Sequence, residues 1–210
     1  MNKELWLKRI RNVAGLLGML LPWIALIGAF LVDVVQGLPD CFWSELSISE
    51  TYYVTPALSV ILGAASIVLM CYDGYELKDN IVTTISGVFG ILIVAFPCNG
   101  AITSSSDLVG YFQIPANISN IIHSVSAAAF FALLSYNSLF LFTLGESGTR
   151  NKAIRNMIYR ICGIGMVASC AILAVPVNFP AKVFTVETFA LTFFGVSWLV
   201  KGGFMGILED

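Results

Sequence analysis

Ala116–Thr143 reads ANISNIIHSVSAAAFFALLSYNSLFLFT and contains His123, the sole histidine of the 210 residues. The stretch carries no Asp, Glu, Lys or Arg. About 20 apolar residues cross a bilayer as a helix, so it is long enough to span. Wound at helical period, Asn120, His123, Ser124, Ala127, Ser135 and Ser138 gather toward one side. Ile121, Ile122, Val125, Phe130, Leu133, Leu139 and Phe140 fill the other. A spanning helix turns a small, polar stripe to its neighbours or a polar cavity, and its apolar side to lipid.

The rest of the chain has the same character. It is 58% hydrophobic and 11% charged, with a mean hydropathy of +0.86. Soluble domains carry about 25% charged residues, so the sequence reads as an all-α membrane protein. No basic stripe interleaved with aromatics is present, and no nucleic-acid partner is expected. Membrane lipids are the expected surroundings, and no segment names a protein partner.

Outward from the fourth span, five more apolar runs give a bundle of six transmembrane helices in a single polytopic domain, at about 13–35, 54–72, 81–97, 118–143, 157–177 and 183–200. The basic start, with Lys3, Lys8, Arg9 and Arg11, could open a signal peptide. The length of the first run and the lack of a small-residue cleavage pattern favour a first span, kinked at Pro22. Gly87 and Gly90 suit close helix contact in the third span, and NFPA (178–181) a tight turn before the sixth. In the DGYELKDN loop (73–80), Asp79 or Asn80 suits a helix N-cap, a reading preferred to partner docking.

Loop charge orients these spans. With the N-terminus inside, the cytoplasmic segments hold Lys3, Lys8, Arg9, Arg11, Lys78, Arg150, Lys152, Arg155, Arg160 and Lys201, and the outer ones only Lys182. That is a strong positive-inside asymmetry, with both termini cytoplasmic.

Orientation places the candidate site at the outer end. Asp33, His123 and Glu187 come from three spans at a similar level, and ionisable groups inside spans usually face a bundle interior or a watery cavity. Ser47, Ser49, Glu50, Asn99 and Asn120 fall near the same level, so the expected ligand-binding set is Asp33, Ser47, Ser49, Glu50, Asn99, Asn120, His123 and Glu187. Plainer readings stand beside it. Asp33 and Glu187 would also suit headgroup level, and His123 could tie Ser47, Ser49 or a backbone carbonyl to the bundle. The serines of the fourth span also suit simple packing.

Cys71, Cys162 and Cys170 read as small apolar fillers. Cys41 and Cys98 fall on the outer side, where a bridge between them is open. One histidine with scattered carboxylates makes no zinc signature, and no metal or other cofactor is expected.

LSISETYY (Leu46–Tyr53), YDGY (Tyr72–Tyr75) with Asp79–Asn80, AFPC (Ala95–Cys98) and IHSVSAAAFF (Ile122–Phe131) together resemble small bacterial six-helix membrane proteins grouped as domain of unknown function 998. A more distant similarity is to lipid-remodelling proteins of the Frag1 type. The resemblance implies architecture rather than activity. The membrane hydrolases that include the alkaline ceramidases are similar in placing a serine, an acid and histidines near one face. Their H-x-x-x-H pair needs a second histidine, so only a carboxylate-substituted or metal-free variant of that centre would fit here.

Three functions follow as expectations. The first is binding of a lipid or small amphipathic ligand in an outward-facing polar pocket. The second is a membrane-embedded lipid hydrolase or transferase, with His123 as catalytic base beside a carboxylate. The third is a small proton-coupled transporter using Asp33, His123 and Glu187; the absence of a visible internal repeat weighs against it. No G-x-S-x-G elbow marks a serine nucleophile.

Overall fold

The computed structural model describes residues 3–74, 76–145, 148–177 and 179–206. Tyr75 of the YDGY motif, Glu146 and Ser147 of the fourth loop, Asn178 of the NFPA turn and the last four residues lie outside that set. Among the described residues seven α-helices form: α1 (Lys3–Gln36), α2 (Asp40–Ser44), α3 (Ala57–Met70), α4 (Leu77–Ala95), α5 (Ala116–Tyr136), α6 (Arg150–Ala174) and α7 (Lys182–Lys201). A π-turn, Asn137–Leu141, prolongs α5. Five helices are long and apolar enough to cross a membrane, which makes this an integral membrane chain.

The run expected at 54–72 is shorter as a helix. α3 has 14 residues, because Pro56 sets its start and a 3-10 turn, Glu50–Tyr53, occupies the approach. α1 begins well before the expected span and runs through Pro22. α4 is capped by Glu76 with Asp79 in a reciprocal capping box, so the cap lies three to four residues earlier than expected. Asn80 instead holds the preceding loop, accepting from the Gly74 N–H and donating to Asp73.

The long helices and α3 close into a ring in the order α1, α3, α4, α5, α6, α7 and back to α1. Leu7, Ile10, Ala14, Leu21, Ala25 and Ala29 form a buried stripe on α1, at the spacing that keeps one helix face inward. Trp23, Ile27, Phe30, Leu31 and Val34 lie exposed on its other side, apolar area that suits lipid rather than water. Small residues set the close seams. A Cβ on Gly87 would stand 2.5 Å from the Ser66 carbonyl oxygen, and one on Gly195 would stand 2.8 Å from that of Gly15. The interior holds Phe130, Leu134, Phe142, Tyr159, Met166, Phe194 and Trp198.

The polar side of α5 lies as the sequence-based wheel has it: Asn120, His123, Ser124 and Ala127 line a cavity, and Ser135 and Ser138 are buried. Phe130 departs from the wheel. It is expected on the lipid side but lies buried in line with Ser119, His123, Ser126 and Leu134. Phenylalanine suits a protein interior as well as lipid, so polarity alone misplaces it.

The segment between α4 and α5 is an ordered structure rather than a plain loop. A short antiparallel pair, β1 (Leu108–Val109) with β2 (Ile114–Pro115), folds it back. Gly110 turns this hairpin at a φ of +72°, and a Cβ there would meet the Ala95 carbonyl oxygen at 2.6 Å. Only glycine meets both demands.

Candidate functional site

Pro97 is where the site begins. The Ile93 carbonyl would take its helical hydrogen bond from the residue four positions on, and that residue has no N–H. α4 therefore ends at Ala95 with orphan carbonyls, and side chains of α5 take them up. His123 Nδ1 lies 3.1 Å from the Ile93 oxygen and 2.9 Å from the Phe96 oxygen. Ser119 Oγ donates to the Pro97 oxygen at 2.7 Å, and Asn120 Oδ1 accepts the Asn99 N–H at 3.1 Å.

The 45–53 segment packs on this joint. Ser47 Oγ accepts the Glu50 N–H at 2.9 Å and so caps the 3-10 turn. Glu50 is 2% exposed, and its Oε1 accepts the Ala101 N–H. Burial pushes its carboxyl above the usual glutamate range, with the Ala101 bond opposing. Tyr53 donates its hydroxyl to the Cys98 oxygen at 2.6 Å. These bonds stitch 45–53 to 98–101 across the end of the ring.

From α7, Glu187 reaches the same segment. Its Oε2 accepts the Ile48 N–H at 2.6 Å, and its Oε1 lies 2.8 Å from Ser49 Oγ. Ser49 Oγ is also 3.1 Å from His123 Nε2. Proton bookkeeping on this row is tight. Nδ1 must carry hydrogen, because both its neighbours are carbonyl oxygens that only accept. Ser49 has one hydroxyl proton, while a neutral Nε2 and an ionised Oε1 would both accept it. Every contact is satisfied only if the row holds one further proton. Either Nε2 carries it and Ser49 donates to Glu187, or Oε1 carries it and Ser49 donates to His123.

The row forms part of the wall of an open cavity of about 750 Å³ bounded by α5, α6, α7 and the two stitched segments. Ser47, Ser49, Glu50, Asn99, Asn120, His123 and Glu187 all line it, from four stretches of the chain. Asp33 does not. It sits at the end of α1 and accepts the Leu38 N–H at 2.7 Å, closing the turn into α2. Similar depth was the argument for including it, and depth says nothing about position around the ring.

The other flank of the cavity is apolar, with Ala128 and Phe131 on α5, Leu173 on α6, and Phe179, Val186 and Ala190 at or on α7. α5 and α6 touch closely at Ser135, whose Oγ donates to the Gly163 oxygen at 2.7 Å. Toward Ala128 and Leu173 the cavity separates them, and both residues are exposed.

Sequence reasoning missed Glu45 and Lys182, which also line the cavity. Lys182 donates from Nζ to the Val175 oxygen at 2.7 Å and reaches toward Leu173, so this cation serves the end of α6. Its place as the lone cation of the segments expected outside is the available signal. Cys41 and Cys98 are unbridged: Cys41 is exposed, and Cys98 is buried in the cavity wall. Burial, with Glu187 and Glu50 nearby, pushes the Cys98 thiol up to about 12.

Compared with family models, curated proteins and solved structures, the chain matches none. The reading of function therefore stands on the residues of this chain alone.

Proposed function

We propose that this chain is a six-span membrane protein that binds a lipid or lipid-like amphiphile in the cavity between α5, α6 and α7. The carrying observation is the division of that cavity into a hydrogen-bonding end and an apolar flank. An amphiphile needs both, and pockets for small molecules combine mostly apolar walls with a few placed polar groups. The exposure of Ala128 and Leu173 supports sideways access for an acyl chain.

In this reading α3 supplies the sixth crossing despite its 14 residues. The Lys and Arg distribution supports cytoplasmic termini and a cavity at the outer leaflet. A bacterial plasma membrane protein of the domain-of-unknown-function-998 type, distantly Frag1-like, agrees with this architecture.

The test is native mass spectrometry of the protein purified in mild detergent, wild type beside Ala128→Trp. Wild type is expected to retain an amphiphile. The indole fills the apolar flank, so the variant is expected to lose the amphiphile while keeping its melting temperature. Equal retention by two stably folded proteins refutes this cavity as the binding place.

A further inference from the structure

The histidine of the row is held as a base is held. Both carbonyls on Nδ1 fix the ring orientation and leave Nε2 to face a serine hydroxyl at 3.1 Å. That distance is within reach for proton abstraction from a nucleophile. Ser49 is half-buried and lines the cavity, which sets the residue beside a bound molecule. The structural duty of His123, closing the end of α4, needs only Nδ1. The Nε2–Ser49 contact ties the 45–53 segment to α5 and, facing the cavity, also sets a base beside a hydroxyl.

We infer that Ser49 and His123 are a nucleophile–base pair that cleaves an ester in an amphiphile held in this cavity. This rests on the amphiphile-binding reading and names its substrate class, a carboxylic ester whose acyl chain lies along the apolar flank. Ser49 Oγ attacks the ester carbonyl carbon, and the hydroxyl proton passes to His123 Nε2. The ester C–O bond breaks, the proton moves from Nε2 to the leaving alkoxide, and an alcohol departs. Water then attacks the acyl-serine, giving its proton to Nε2. The Oγ–carbon bond breaks, the fatty acid leaves, and the proton returns to Oγ. The ester and one water become an acid and an alcohol, with no redox change.

Asn99 and Asn120 line the cavity and accept through their Oδ1 atoms, from Thr103 and from the Asn99 N–H. Their side-chain amide N–H groups are the donors the proposal assigns to the developing oxyanion.

Glu187 is a positioning residue. The pair can act only in the state where Ser49 donates to His123, and there Glu187 Oε1 must donate to Ser49. A glutamine imitates that state. Its oxygen accepts the Ile48 N–H and its amide donates to Ser49 Oγ, which leaves the serine proton only His123 to go to.

The experiment uses the full chain in detergent or nanodiscs with a fluorophosphonate probe, the adduct mapped by peptide mass spectrometry. Bound amphiphile and melting temperature are measured in parallel. Wild type is expected to label at Ser49, Ser49→Ala not at all, and His123→Gln at least about 100-fold more slowly. Glu187→Ala is expected to lose labelling and Glu187→Gln to restore it, a contrast that decides the matter even if His123→Gln fails to fold. Wild type that retains amphiphile yet never labels at Ser49 overturns the cleavage and leaves the binding. Loss of both overturns both. Equal labelling of the Gln and Ala variants at position 187 also overturns the assigned proton arrangement.

Discussion

Among the described residues, replacing His123 by alanine removes the one donor to the Ile93 carbonyl, whose helical partner would have been Pro97. The Phe96 carbonyl loses its bond in the same step. A buried polar group left unpaired costs about 1–3 kcal/mol. Here the two oxygens share one hydrogen, and the adjoining cavity admits water to the outer one, so the expected loss is about 2–3 kcal/mol. For a chain of this size that lowers the melting temperature by roughly 5–10 °C. Glutamine has an amide that can donate to either carbonyl and an oxygen that can accept from Ser49, so about 1 kcal/mol or less should be lost. The assay is thermal unfolding of the three purified proteins in one detergent, followed by tryptophan emission. Alanine as stable as wild type, or glutamine as unstable as alanine, would refute the claim that His123 closes the end of α4.

Glu50 carries a pH signature. Its carboxyl is raised by burial, so the folded state holds that proton more firmly than the unfolded chain, and stability falls as pH climbs from the ordinary glutamate range through the raised value. Glu50→Gln should flatten that fall in a melting-temperature series, and an unchanged slope would remove Glu50 as its source. Native cysteines report orientation: Cys41 and Cys71 are exposed at opposite ends of the ring, whereas Cys98 is buried with its thiol pushed up to about 12. An impermeant maleimide should modify Cys41 on intact cells, Cys71 only after permeabilisation and Cys98 only after unfolding; the reverse order for the first two would invert the topology.

The apolar runs made the helices legible, since each long helix overlaps an expected span. The polar end of the cavity was legible too, because Ser47, Ser49, Glu50, Asn99, Asn120, His123 and Glu187 are concentrated at one level in a chain with few polar residues. Azimuth was not. Asp33 shares that level yet faces the turn into α2, and Phe130 points inward from a helix whose serines suggested otherwise. A helical wheel ranks faces by polarity, which separates protein from water well and protein from lipid poorly. The pairing of Glu187 with Ile48 and Ser49 spans 139 and 138 positions and has no local trace. Pro97 was the readable clue to His123, because a proline just past a helix end leaves a carbonyl that something must cover.

α3 is the short member of the ring, and its shortness fixes a depth. At 1.5 Å per residue its 14 residues make a rod of about 21 Å, against a hydrocarbon layer of about 30 Å. The chain ahead of it fills the difference by dipping downward: Thr55 packs on Gly28, eight residues or about 12 Å below the end of α1 at Gln36. Ile48 and Ser49 ride on that sunken segment. On the proposed six-span reading, this would set the serine at the level where headgroups give way to acyl chains, which is where the ester bonds of a glycerolipid lie. A molecule drifting sideways in its leaflet would then meet the hydroxyl without being lifted toward water, and selection would fall on chain width at the α5–α6 cleft rather than on headgroup size.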